Sequence, residues 1–177
     1  MSVIIKRIRV RLYPTEEKEI LIDKTIGCSR FVYNQTLADC KQVYEQTKHF
    51  PSMRERSANL VPLKDEFEFL KEVDAKALQQ SVRDFNSSLH NFYGNRSHFG
   101  FPRFKSKRNS RQSYRTPYDN GKSDVLDSTH IKLPKLGRIK TKRFVMPEVY
   151  KIFNFTVEST HANKYYVSIC IETEVNP

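Results

Sequence analysis

Hydrophobic and basic positions alternate at the start of the chain, between Ile4 and Tyr13. The hydrophobic residues on one side are Ile4, Ile8, Val10 and Leu12, and the residues on the other side are Arg7, Arg9 and Arg11. A period of two is that of a half-buried β-strand, so the pattern predicts a strand with a cationic outer face. Three arginines in line favour contact with a phosphate backbone over simple solvation.

A helical period begins after Pro14, which ends the strand. Thr15 is placed to cap this helix, and the acidic residues Glu16 and Glu17 suit the positive end of its dipole. Its buried face is predicted at Leu21, Thr25, Cys28 and Val32. The period continues to Tyr44, and a weaker helical pattern covers residues 52–61.

The clearest helical period begins at Asp74 and stops at Gly94, a residue typical of helix ends. Its hydrophobic stripe consists of Leu78, Val82, Phe85, Leu89 and Phe92. A neighbouring face carries side chains that can contact bases or phosphates, namely Gln79, Arg83, Asn86 and His90. Taken alone, this helix favours an ordinary hydrated surface.

The chain turns to strands from Ile131 onward. Short strands broken by proline and glycine are predicted at 132–134 and 139–141. Two longer alternating runs, at 153–158 and 165–171, flank a turn at 162–164 and predict an antiparallel hairpin with one buried face. Helices followed by antiparallel strands define the fold class as α+β.

A basic stretch separates these two halves. It begins with Gly100-Phe101-Pro102-Arg103-Phe104-Lys105-Ser106-Lys107-Arg108 and continues through Arg111 and Arg115 to Thr116, with no carboxylate before Asp119. Cations neutralise phosphates and release counterions, while rings and guanidinium planes stack on bases. The stretch is therefore predicted to contact a nucleic acid.

Charge over the whole chain supports the same class of partner. Lys and Arg number 31 against 20 Asp and Glu, which gives a net charge of +11. Such a field attracts polyanions before contact forms. Hydrophobic residues make up 38% of the 177 residues, enough for one domain or two small ones. The cysteines Cys28, Cys40 and Cys170 are expected as reduced thiols, and a cytoplasmic location is expected because no signal or membrane segment is present.

Catalytic motifs are absent from the sequence. It has no P-loop, no G-x-G-x-x-G, no H-E-x-x-H and no G-x-S-x-G, and its histidines are scattered. We therefore predict no catalytic residue, no metal ligand and no small-molecule substrate for this chain.

Several motifs occur in the order found in insertion-sequence OrfB proteins. They are Arg11-Leu12-Tyr13-Pro14-Thr15, Gly27-Cys28-Ser29-Arg30-Phe31-Val32-Tyr33-Asn34, Ala77-Leu78-Gln79-Gln80, Asn91-Phe92-Tyr93, Gly100-Phe101-Pro102-Arg103-Phe104-Lys105-Ser106-Lys107 and Leu133-Pro134-Lys135-Leu136-Gly137. The chain thus resembles the TnpB family, the RNA-guided transposon nucleases related to type V CRISPR effectors. The resemblance covers essentially the whole chain and less than half of the usual family length.

The resemblance implies an OB-like antiparallel wedge β-barrel with an inserted helical recognition lobe. Residues 1–13 plus 98–177 would form the wedge, and residues 14–97 the lobe. It further implies that the RuvC-like nuclease, with its magnesium-binding carboxylates, and the zinc module lie outside this chain, so no cofactor is expected here. The partners implied are a guide RNA from the transposon end and double-stranded target DNA, with no membrane.

Site residues follow from the resemblance and the charge pattern together. Gln79 and Thr116 match positions that look like readers of the target-adjacent DNA motif. Lys76 is the third predicted reader, since it lies next to Ala75, a position where some relatives have Lys. The chemistry fits, since a Gln amide pairs with adenine and a Thr methyl packs on thymine. The predicted backbone contacts are Arg7, Arg9, Arg11, Arg30, Tyr33, Asn34, Arg83, Arg103, Lys105, Lys107, Arg108, Arg111 and Arg115. Tyr33 and Phe104 are equally compatible with the lobe core.

The sequence leaves three functions open. The leading hypothesis is a nucleic-acid-binding module without nuclease activity of its own, whether a natural binding-only relative, a decayed or split gene product, or a deliberately shortened protein. The second is the non-catalytic part of an RNA-guided DNA endonuclease that cleaves only with its RuvC domain. The third is a general basic RNA-binding domain.

Overall fold

The structure is a computed structural model that describes residues 2–108 and 111–175. The chain divides into two compact units. One, the sheet unit, comprises the chain up to Lys24 and from Gln112 onward, and the other, the helical unit, comprises the chain between them. The predicted lobe, residues 14–97, begins and ends earlier in the chain than the helical unit, Thr25–Arg111.

Helices account for most of the regular structure between the first strand and the basic stretch. They are α1 (Glu16–Thr47), α2 (Met53–Ala58), α3 (Leu60–Glu66), a 3-10 helix (Glu68–Glu72) and α4 (Ala75–Gly94). α1 continues through Gly27 without a break. The weak helical pattern at 52–61 is resolved into the short helices α2 and α3, the first of which begins at a capping box between Ser52 and Glu55.

The core of the helical unit forms where α1 packs on α4. Its buried cluster consists of Tyr33, Leu37, Cys40, Phe85 and Leu89. The predicted stripe of α4 is confirmed from Leu78 to Leu89, and the Asp74 side chain caps the helix by accepting from the Lys76 N–H. These contacts fix which faces of α1 and α4 remain at the surface.

Seven antiparallel strands form one sheet in the order β2-β6-β7-β1-β5-β4-β3. They are β1 (Ser2–Tyr13), β2 (Ser113–Pro117), β3 (Asp124–Asp127), β4 (His130–Leu133), β5 (Gly137–Thr141), β6 (Tyr150–Ser159) and β7 (Tyr165–Val175). Within the described residues β2 and β3 end the strand order and do not pair with each other. The predicted combination of helices with an antiparallel sheet is confirmed, and the sheet is open in its order.

The hairpin of β6 and β7 agrees with the predicted one. Its turn contains Asn163 at a φ of 52°, a left-handed conformation that Asn tolerates better than most residues. Its inner face is fully buried at Phe155, Val157, Val167 and Ile169. Tyr165, the first residue of β7, donates a hydrogen bond to Asp23 of α1. Burial, together with this bond, raises the pKa of Tyr165 to about 12.

Two features of the sheet differ from the sequence-based prediction. Ile4 is 43% exposed although its alternation predicts burial. The reason is that β5 pairs with β1 only at Leu12 and Tyr13, so the first half of β1 has a neighbour on one side alone among the described residues. The second difference is that β2 and β3 are strands, although the sequence predicts none there. Both are edge strands, and both are short and polar. Their hydrophobic and polar residues therefore do not alternate clearly enough to predict a strand.

The three cysteines are buried, and none of them forms a disulfide. Among the residues that the structure describes, no helix combines the length and apolar character needed to cross a bilayer.

The sheet core should respond strongly to loss of volume at Phe155. We expect Phe155→Ala to lower the free energy of unfolding of the sheet unit by about 3–5 kcal/mol, because it leaves a cavity among fully buried side chains. Urea denaturation followed by amide hydrogen exchange measures this. Val145→Ala is the control, since Val145 is 82% exposed and its truncation should change stability by less than about 0.5 kcal/mol. Equal effects of the two substitutions would contradict the assigned core.

Candidate nucleic-acid interface

The segment Gly100–Arg108, here called the basic segment, belongs to the helical unit. Asn109 and Ser110, which continue the predicted basic stretch, lie outside the described residues. The segment is irregular in secondary structure, and it is anchored at its start because Pro102 is buried and Phe101 packs against the helical core. After this anchor every side chain from Arg103 to Arg108 is exposed.

A pair of hydrogen bonds fixes the middle of the basic segment to α1. The Asn34 side-chain amide donates to the Lys105 carbonyl at 2.8 Å. The Lys105 N–H donates to the Asn34 amide oxygen at 2.7 Å. Both ends of one amide are thus used to hold the backbone of a residue 71 positions away. Asn34 therefore positions the segment, which is a different role from the predicted phosphate contact.

Two cation–ring contacts place lysines on either side of this bond pair. The Lys105 ammonium lies 4.1 Å from the ring centroid of Tyr33. The Lys41 ammonium lies 4.9 Å from the ring of Phe104, which is itself 53% exposed. Such contacts orient a cation without neutralising it. The result is exposed positive charge on both α1, at Lys41, and the basic segment, at Lys105.

Tyr33 lies in the buried cluster of the helical unit. It is only 4% exposed, its ring packs edge-on against Phe85 at 5.6 Å, and its hydroxyl donates to Ser88 at 3.4 Å. So little of the Tyr33 side chain is exposed that the structure favours the alternative prediction, a place in the core. Phe104, in contrast, lies at the surface.

The polar face of α4 carries both exposed and buried side chains. Gln79, Arg83 and His90 are exposed, and Lys76 is half-buried in the first turn. Asn86, expected on the same face, is 5% exposed and accepts a hydrogen bond from the Arg56 guanidinium at 2.5 Å. The remaining surface of α4 presents Gln79 one turn from Arg83, which is a suitable arrangement for a base contact beside a phosphate contact.

The outer face of the sheet unit carries the predicted arginines of β1. The strand register places Arg9, Ser168, Thr156 and Arg115 in one row across β1, β7, β6 and β2. The Arg9 guanidinium lies 3.8 Å from the Tyr166 ring centroid and 3.7 Å from the Glu158 carboxylate. Arg7 is exposed near one end of this face, and Arg11 is half-buried near Tyr13 and Tyr166. These residues form a cationic face with an aromatic centre.

Thr116 points away from that face. It follows Arg115 in β2, so its side chain lies on the opposite, inner face beside Phe155 and is 0% exposed. A thymine methyl cannot contact a fully buried methyl group, so the predicted base contact of Thr116 is inconsistent with this structure. The predicted reader that remains accessible on the surface is Gln79, with Lys76 partly so.

A second cationic surface was not predicted from the sequence. Lys18, His130, Arg138 and Lys140 line an open pocket of about 410 Å³ in the sheet unit. Arg138 and Lys140 are two residues apart in β5, the same spacing that identified the arginines of β1. That spacing was the available signal. The predicted strand, 139–141, begins one residue after Arg138 and therefore leaves this arginine out.

Asp127 borders this pocket and moderates its charge. Its carboxylate lies 3.0 Å from the His130 imidazole and 3.8 Å from the Arg138 guanidinium. A hydrogen bond from the Thr129 N–H lowers the pKa of Asp127 to about 2, and His130 adds to the effect. Asp127 is therefore ionised at neutral pH and offsets part of the positive charge.

The described residues offer no set of ligands for a catalytic metal. No group of three or more His, Cys, Asp or Glu side chains lies together within them.

Comparison with known proteins gives one family model and several relatives that match this chain. Residues 1–49 match the family model of the helix-turn-helix domain of IS605-type OrfB proteins. In this structure the matched residues contain β1 and the single helix α1. The chain is 30% identical over 181 residues to the "Putative RNA-guided DNA endonuclease" of Streptomyces pristinaespiralis, an alignment that covers 100% of this chain and 44% of the relative.

Two further relatives match. The "Putative RNA-guided DNA endonuclease InsQ" of Escherichia coli (strain K12) is 33% identical over 172 residues, covering 95% of this chain and 40% of InsQ. The "Virulence protein VsdF" of Salmonella dublin is 29% identical over 108 residues, covering 56% of this chain and 91% of VsdF. These matches support the OrfB family, also called TnpB, as the family of this chain. It spans about two-fifths of the length of the two endonuclease relatives.

We expect the two hydrogen bonds of Asn34 to keep the basic segment in a fixed conformation. In Asn34→Ala the segment loses two bonds worth about 0.5–1.5 kcal/mol each, so trypsin should cleave after Lys105, Lys107 and Arg108 about tenfold faster or more. Timed digestion read by mass spectrometry measures the rate. Gln35→Ala is the control, because the Gln35 amide bonds only to Asp39 within α1 in the described contacts. Unchanged cleavage in Asn34→Ala would show that other contacts hold the segment.

Proposed function

We propose that this chain is a nucleic-acid-binding part of a TnpB-like protein and that it binds a guide RNA and target-adjacent DNA. The observation that carries the proposal is the basic segment, whose cations are held at the surface by Asn34 and by aromatic rings. Ordering cations before binding reduces the entropy lost on contact with a phosphate backbone. The printed names of two relatives favour RNA and DNA as the polyanions.

In this proposal the sheet unit corresponds to the wedge barrel and the helical unit to the recognition lobe. Support comes from the long strand β1, which is central in the strand order and pairs with β7 along its length and with β5 at its end. The arginines of β1 and Arg115 of β2 would follow a phosphate backbone across the outer face of the sheet. Gln79 would read the target-adjacent motif from α4, with Lys76 and Arg83 beside it.

DNA cleavage, in this proposal, belongs to residues outside the chain. The two endonuclease relatives are more than twice as long as the part that matches, which favours the alternative that this chain works as one part of an RNA-guided DNA endonuclease. Incubation with magnesium, guide RNA and target DNA tests this. Binding without cleavage supports the proposal, and cleavage by the chain alone would overturn it.

The RNA that co-purifies with the protein distinguishes a guided role from general RNA binding. Sequencing it should give one defined species from a transposon end if the proposal is correct. A random cellular mixture would favour the third function, a general basic RNA-binding domain.

Charge removal in the basic segment should weaken binding to all nucleic acids alike. The triple variant Arg103→Gln, Lys105→Gln, Lys107→Gln is expected to bind at least tenfold more weakly and to show a smaller dependence on salt, because up to about three phosphate contacts are lost. Fluorescence anisotropy at several salt concentrations measures both. The matched control Arg54→Gln, Lys64→Gln, Lys71→Gln removes the same charge from α2, α3 and the 3-10 helix. Equal losses of affinity in both variants would show that binding depends on net charge alone and not on the basic segment.

Gln79→Ala should instead relax sequence preference. Loss of an amide that pairs with adenine is expected to cost about 1–3 kcal/mol of discrimination between target-adjacent motifs while non-specific affinity changes little. Selection from a randomised DNA library in the presence of the guide measures the preference. Gln80→Ala is the control, since the Gln80 amide bonds to Asp84 along the helix. If Gln79→Ala weakens every DNA equally, Gln79 positions the backbone and does not read bases.

A further inference from the structure

Aromatic rings surround an open groove in the helical unit. The rings are those of Tyr44, Phe50, Phe92, Tyr93 and Phe101, and the groove has a volume of about 350 Å³. Pockets that bind small ligands measure roughly 300–1,000 Å³. The groove is thus at the small end of that range and suits one planar ring system.

Two of these rings are available to a ligand. Tyr44 is 41% exposed and Tyr93 is 47% exposed, whereas Phe50 and Phe101 pack against the buried cluster. Phe50 stacks on Tyr44 with centroids 4.6 Å apart and planes inclined by 18°. It also meets Tyr93 edge-on at 6.1 Å. The buried phenylalanines therefore orient the exposed tyrosines, and aromatic surface is presented in a fixed position.

Positive charge accompanies the rings. Lys41 and Arg96 line the groove, and Glu45 is the acidic residue of its lining. The Arg96 guanidinium lies 5.3 Å from the ring centroids of both Phe92 and Tyr93. Ring faces with flanking cations match a nucleobase together with its phosphate. An apolar protein segment would bring nothing to match these two cations.

The groove is continuous with the basic segment. Phe101 belongs to both, and Lys41, which lines the groove, also contacts Phe104 of the segment. A strand whose phosphates follow the cations from Arg103 to Arg108 therefore passes beside the groove at the segment's start. There an unpaired base can turn into the groove while the backbone continues.

We propose that this groove binds one unpaired nucleobase of a single strand that the basic segment holds by its phosphates. The inference rests on the proposed nucleic-acid binding and adds a single-strand site to it. Single-stranded RNA and single-stranded DNA share the required chemistry, so the test includes both.

The double variant Tyr44→Leu, Tyr93→Leu removes the exposed ring faces while retaining apolar side chains that favour a helix. We expect it to bind single-stranded oligoadenylate, as RNA or DNA, about tenfold or more weakly, and to bind duplex DNA as the unaltered protein does. Phe69→Leu is the matched control, because Phe69 is a 41% exposed ring of the same unit that packs with Phe31 and Phe67 outside the groove. It should leave both affinities unchanged.

A second measurement needs no variant. An oligonucleotide carrying 2-aminopurine should change its fluorescence on binding the unaltered protein, because the base exchanges its neighbouring bases for tyrosine rings as stacking partners. A change that the double variant lacks, with the RNA probe, the DNA probe or both, identifies the strand that the groove accepts. The same fluorescence change in both proteins, or a double variant that folds and binds single strands normally, overturns the inference. If the basic-segment variant still loses affinity in that case, the proposed function stands without the groove.

Discussion

Packing of α1 against α4 around Phe85 is the constraint on which the surface of the helical unit depends. Phe85 is fully buried and contacts Tyr33 edge-on. Once Tyr33 faces inward, its neighbour Asn34 must lie about 100° further around the helix, toward the surface, where it meets the backbone of Lys105. One core contact thus determines where the basic segment can attach. The same core supports Phe101 at the segment's start and Phe50 at the groove.

Aromatic rings contact several of the positive charges among the described residues. Lys41, Lys105 and Arg96 each lie over an aromatic ring, and such contacts leave the cation's charge available to a ligand. A salt bridge would cancel the field that attracts a polyanion. Arg9 combines both, since it lies on Tyr166 and near Glu158. Self-repulsion among so many cations lowers stability, and a role in binding explains why the fold accommodates them.

Sequence patterns were sufficient for the elements whose burial is periodic, and they failed where burial depends on distant neighbours. The α4 stripe and the β6–β7 hairpin follow from local spacing alone. Ile4 alternates correctly but lies where β1 lacks a second neighbour, a fact set by strand order. Thr116 has suitable chemistry, yet its face of the sheet is determined by the register of β2 with β6. For Asn34 the sequence predicts a phosphate contact, whereas the structure shows hydrogen bonds to Lys105, a partner 71 residues away that spacing cannot reveal.

Several of the motif residues that carry the family resemblance have a role in holding the scaffold together. In Gly27–Asn34 the structure assigns core packing to Tyr33 and segment attachment to Asn34. In Gly100–Lys107 it assigns anchoring to Phe101 and Pro102, ahead of the exposed cations. Similarity in these motifs therefore implies a shared way of presenting charge and carries little information about the sequence that is bound. Discrimination between targets requires side chains that are exposed and free to vary, and Gln79 on α4 is the predicted reader that meets this physical condition.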